Sequence, residues 1–119
     1  MVVLMRAFIS IVLVMVLAIV MHAQVPSAKI IRVSAERFAY TPSEITVEKG
    51  TVIEFHLTSD DTDHGFRIIG TEVDVQIPKR RRGETVVKYT ADTAGRFVIE
   101  CSRPCGAGHT SMRATLVVT

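Results

Sequence analysis

At 119 residues and 13.1 kDa the chain has room for one folded domain plus, at most, an export or anchoring segment. Its fourteen basic and twelve acidic residues give a formal net charge of +2. Without Arg6 the balance falls to +1, which excludes any charge-based argument for nucleic acid as a partner.

The first element in chain order is apolar. Residues 1–6 carry one positive charge, residues 7–21 are almost wholly aliphatic apart from Ser10, and Met21-His22-Ala23 ends on a small residue before Gln24. This is the layout of a signal peptide with its cleavage site. As a helix, residues 7–21 would reach about 22 Å at ~1.5 Å per residue, short of the roughly 30 Å hydrocarbon core. Adding residues 2–5 lengthens the run but places Arg6 within the span. Residues 1–23 therefore read either as a cleaved signal peptide or as a retained N-terminal membrane anchor through residues 2–21. Both readings keep Arg6 inside and export the rest. They place a domain of residues 24–119 in the periplasm or on the outer face of the cytoplasmic membrane.

Beyond Ala28 the pattern has period 2 and is rich in Val, Ile, Thr and Phe, with frequent turn residues and no internal repeat. It predicts an all-β sandwich or barrel. Residues 30–36 form a first strand, and residues 38–43 an irregular stretch containing Pro42. Residues 44–48 form a second strand, closed by the turn pair Lys49-Gly50. In residues 51–58 the alternation turns Ile53, Phe55 and Leu57 inward and Glu54, His56 and Thr58 outward. His56 then reads as an ordinary surface histidine. The polar loop 59–63 delivers His64-Gly65-Phe66. Val73, Val75 and Ile77 mark a further strand before Lys79-Arg80-Arg81-Arg82, a basic run between Pro78 and Gly83. That run reads as a solvated loop tip, or alternatively as a docking patch for an acidic partner or anionic lipid. Residues 84–90 and 96–100 are strands, and residues 114–118 close a count of seven or eight. A bound metal would help stabilise so small a domain.

Between the last two strands lies a loop with the spacing C-x3-C-x3-H-x2-M, formed by Cys101, Cys105, His109 and Met112. All four are soft or borderline ligand types that suit copper. A Cys101–Cys105 disulfide would close a tiny loop that restricts the unfolded chain little, and it would leave the His and Met spacing unexplained. A mononuclear electron-transfer copper site needs one cysteine, two histidines and a weak methionine, which is one cysteine fewer than this loop holds. Two thiolates bridging two copper ions account for the surplus. The second imidazole must then come from elsewhere. His64 is the candidate, because it opens a strand and is followed by Gly65, which permits close backbone approach. His22 lies in the export segment and is excluded.

These residues, with Asp63-His64-Gly65-Phe66 and Tyr40-Thr41-Pro42-Ser43-Glu44-Ile45, resemble the copper-binding domain of cytochrome c oxidase subunit II in its short, single-anchor form. The resemblance covers residues 38–119. It implies a cupredoxin-like Greek-key β-sandwich, preceded by the apolar N-terminal helix, and a binuclear copper (CuA) centre. In that centre Cys101 and Cys105 would bridge both ions. His64 and Met112 would complete one ion, and His109 with the backbone carbonyl of Arg103 the other. The family usually has Glu at the Arg103 position, so its magnesium ion is not expected here. The implied role is passing single electrons from a cytochrome c-like donor to a haem-containing oxidase subunit, with no substrate turnover by this chain. The tryptophan that receives electrons in longer forms is absent, leaving Phe38 and Tyr40 as candidates for the entry surface or as plain core. Two other readings stand beside this one: an exported cupredoxin for copper storage or delivery, and a structural zinc site that leaves Met112 unused. The short link between residues 23 and 30 fits a cleaved, soluble protein better than an anchored subunit.

Overall fold

The computed structural model describes the backbone of residues 1–20 and 27–119 and the side chains of residues 1–12 and 27–119. The expected cleavage site around residues 21–24, including His22, lies outside the described residues. The apolar run forms helix α1 (Val2–Val20). Its nineteen residues reach about 28 Å. Among the described residues no helix is long and apolar enough to cross a membrane.

The period-2 segments become nine strands: β1 (Lys29–Glu36), β2 (Ala39–Thr41), β3 (Glu44–Val47), β4 (Val52–Ser59), β5 (His64–Ile68), β6 (Asp74–Ile77), β7 (Thr85–Thr90), β8 (Gly95–Glu100) and β9 (Arg113–Val118). They form two sheets, ordered β2-β1-β4-β7 and β3-β9-β8-β5-β6. β1 runs parallel to β4 and β3 parallel to β9, while the other pairs are antiparallel. The chain switches sheets after β2, β3, β4, β6 and β7, the crossing pattern of a Greek-key sandwich. The strand beyond the expected seven or eight is β2. It lies in the stretch that reads as irregular because Pro42 follows it at once, yet Ser34–Glu36 pair with all three of its residues.

The core is the inward face of each sheet. Ile53, Phe55 and Leu57 of β4 are fully buried, as the alternation predicts, against Phe66, Ile68, Ile99 and Leu116 of the other sheet. Phe66 meets Tyr40 edge-on at 5.9 Å and Phe55 at a tilt at 5.2 Å. Tyr40 is thus a core residue and not an entry surface.

Two features of this topology position the site. β5 and β8 are antiparallel neighbours, with Arg67 opposite Glu100, so the start of β5 and the end of β8 fall at the same end of the sandwich. His64 therefore opens beside the loop 101–112 that leaves β8, although 36 residues separate Gly65 from Cys101. The basic turn is exposed, and its backbone is tied to the loop before His64. Lys79 N–H donates to Asp63 Oδ1 at 2.6 Å and Arg80 N–H to the Asp61 carbonyl at 3.0 Å.

Candidate metal centre

Cys101 and Cys105 are both buried free thiols, with their sulfurs 3.6 Å apart. His64 is fully buried as the first residue of β5. One of its ring nitrogens and the two sulfurs all lie within 4.8 Å of one another. Met112 is also fully buried, with Sδ 3.9 Å from Cys105 Sγ. His109 opens a single 3-10 turn (His109–Ser111), half-buried, with Nδ1 3.8 Å from Cys105 Sγ. The Arg103 carbonyl lies 3.0 Å from Cys101 Sγ, which donates to it. The fold thus gathers around the two sulfurs all six residues singled out in the sequence. The Arg103 side chain points elsewhere, to Asp74.

The His64 ring is oriented by what lies behind it. Its Nε2 sits 2.6 Å from Asp61 Oδ1, so Asp61, and not Asp63, is the partner. A carboxylate at that distance makes Nε2 the protonated nitrogen and leaves Nδ1 with a free lone pair. Nδ1 is the one buried side-chain nitrogen or oxygen among the described residues that has no hydrogen-bond partner. Such an orphan is expensive unless something occupies the lone pair. Partial burial pushes the Asp61 carboxyl up, but hydrogen bonds from the Arg37 N–H, His64 and the Thr62 N–H outweigh it and hold it at about 2. Asp61 is therefore a fixed acceptor at any ordinary pH.

The thiols are poised differently. Burial, then the hydrogen bond and charge of Cys101, push Cys105 up to about 11, with Arg37 opposing. A cation held between these sulfurs would have to displace thiol protons. Burial, and then the two cysteines, likewise raise Tyr40 above the usual phenol range. It stays protonated and donates to the Gly65 carbonyl at 2.5 Å.

Gly65 itself is where the loop meets β5. Its N–H donates to Cys101 Sγ at 3.3 Å, and a Cβ placed on it would overlap Ser102 and stand 2.7 Å from the Arg103 backbone nitrogen. The close approach expected of this glycine is therefore present. At the other end of the loop Phe38 lies over Gly106, 3.0 Å from where a Cβ would stand, and over Gly108 more closely still. Sequence reasoning missed Arg37, whose Nε donates to the Cys105 carbonyl at 2.7 Å. No local signal marks it, since its partner is 68 residues away.

His56 is not part of this cluster. It lies on the polar face of β4, with its ring between Glu54 (2.8 Å) and Glu84 (3.2 Å). Replacing it with Ala is expected to leave metal loading unchanged and to cost about 1 kcal/mol of stability, the upper end for near-surface pairs, because the ring is half-buried. Metal analysis and urea titration of the variant check this.

The donor set of two soft thiolates, two imidazoles, a thioether and a carbonyl suits copper better than any hard cation. The orphaned Nδ1 beside the sulfurs shows that these residues fit a metal. Residues 9–118 match the family described as the cupredoxin-like domain. Two cytochrome c oxidase subunit 2 proteins of Thermus thermophilus are each 38% identical over 94 residues, or 78% of this chain; the match covers 67% of one and 54%, about half, of the other. The periplasmic domain of subunit II of the cytochrome oxidase of Bradyrhizobium japonicum superposes with a TM-score of 0.69 at 20% identity, covering 81% of this chain and 88% of that one. The chain belongs to the cupredoxin-like family and, within it, to the relatives of cytochrome c oxidase subunit II.

Proposed function

We propose that His64, Cys101, Cys105, His109, Met112 and the Arg103 carbonyl hold two copper ions bridged by the two thiolates, and that the chain is a one-electron carrier. The observation that carries this reading is the buried, unpartnered Nδ1 of His64, set beside two buried thiols. A copper pair bound there would take up and return one electron, its charge shared over two metals and two sulfurs.

What the protein supplies is rigidity and exclusion of water. Asp61 fixes the tautomer and orientation of His64, and such partners hold a ligand in place. Gly65 N–H ties β5 to the Cys101 sulfur, and the Tyr40 hydroxyl ties β2 to the Gly65 carbonyl, so the Cys101 side of the site is held by the sheets. Cys101, Cys105 and His64 are at most 5% exposed, which leaves a buried set with no room for substrate. That burial favours a carrier over a protein that stores or delivers copper, which must release its ion quickly. His109 is the one proposed side-chain ligand that is half-buried rather than buried.

The role of the relatives supports a cytochrome c-like donor and a haem-containing oxidase subunit as acceptor. Their location supports export to the periplasm, with residues 1–23 serving as signal peptide or anchor and residues 24–119 as the copper domain. Copper reconstitution of the metal-free chain is the test. We expect two coppers per chain and an EPR pattern of one electron shared by two nuclei. One copper, or a colourless zinc protein, would reject the reading.

A further inference from the structure

We propose that Arg37 is a positioning residue of this centre, tying the ligand loop to the one ligand that comes from outside it. The inference rests on the metal reading above and adds a residue that the ligand pattern does not contain.

Arg37 stands between β1 and β2 and reaches both halves of the site. Its backbone N–H donates to Asp61 Oδ2 at 2.8 Å, and Asp61 Oδ1 takes the Nε2 proton of His64 at 2.6 Å. Its side-chain Nε donates to the Cys105 carbonyl at 2.7 Å. The result is a continuous chain, His64–Asp61–Arg37–Cys105, closed at its far end by the His64 and cysteine ligand atoms. The same side chain packs against Gly106, with Nε 3.4 Å from where a Cβ would stand. An exposed arginine normally does little. This one donates to a main-chain carbonyl within the loop, and no carboxylate pairs with its guanidinium among the described residues. Its positive charge is therefore left facing the sulfur end of the site.

Two separable effects follow. The hydrogen bond holds the loop around Cys105 in register with His64. The charge favours whichever redox state of the bound metals carries the extra electron, and so raises the reduction potential.

The test uses the full chain with Arg37→Met, Arg37→Gln and Arg37→Lys. In metal-free protein, hydrogen exchange at the amides of residues 105–110 is expected to speed up in Arg37→Met and to be partly restored in Arg37→Gln, which keeps a planar donor. In copper-loaded protein, Arg37→Met is expected to weaken copper binding about 10- to 100-fold, the usual effect of losing a partner behind a ligand. Its potential should fall, and Arg37→Lys, which keeps the charge, should recover that fall. Unchanged exchange and unchanged affinity in Arg37→Met would overturn the assignment. So would losses that neither conservative variant relieves, since these would mark Arg37 as packing only. If the unaltered chain takes up no copper pair, the copper reading fails by itself, and the metal-free exchange comparison still decides for or against Arg37.

Discussion

Cys105→Ser is expected to remove the two-copper stoichiometry and leave at most one copper per chain, with an EPR spectrum from a single nucleus. The two sulfurs lie 3.6 Å apart, and Cys105 Sγ lies 3.8 Å from His109 Nδ1 and 3.9 Å from Met112 Sδ. Removing that sulfur separates these two side chains from the His64–Cys101 half. A serine hydroxyl is a hard, protonated donor and cannot stand in for a soft thiolate. The loss should exceed the roughly 10- to 100-fold seen for partners behind a ligand. The fold should survive, because Cys105 is one small buried group in a loop and the core lies in the two sheets. Metal analysis with EPR reads the first outcome and circular dichroism the second. Two coppers retained in the serine variant would show that the thiolates do not bridge.

Gly65→Ala is expected to damage stability and metal loading together. The new Cβ would overlap Ser102 and approach the Arg103 backbone nitrogen to 2.7 Å. The obstacle is partly main chain, which cannot swing aside as a flexible side chain does. Either β5 or the segment from Cys101 to Arg103 has to move. Movement strains two hydrogen bonds at once, Gly65 N–H to Cys101 Sγ and Tyr40 O–H to the Gly65 carbonyl. Overpacking of this kind typically costs about 1–3 kcal/mol, and each weakened hydrogen bond adds about 1 kcal/mol. We expect a loss near the upper end of that range in urea unfolding of the metal-free chain, with copper uptake reduced in parallel. Loading and stability equal to those of the unaltered chain would mean that the close backbone approach is dispensable.

The stretch at residues 38–43 shows where local pattern is insufficient. Its proline and short length read as irregular, because only four of its residues precede Pro42, too few to carry a strand-length alternation. Pairing with β1 makes Ala39–Thr41 a strand all the same, and places Tyr40 under Gly65. Asp61 and Asp63 pose the same problem, since both flank His64 closely enough to serve as its partner. The turn at Lys79 and Arg80 takes up Asp63 and the Asp61 carbonyl, while the Asp61 carboxylate faces the ring.

The sequence by itself determined the strand phases, the outward placing of His56 and the gathering of Cys101, Cys105, His109 and Met112 in one loop between two strands. These follow from short-range periodicity and from residue chemistry, both of which are written along the chain. Only the tertiary structure decided that Asp61 backs His64, that Tyr40 is core, and that Arg37 reaches the Cys105 carbonyl. Those contacts join residues brought together by strand crossovers between two sheets, and their geometry depends on packing that no local spacing encodes.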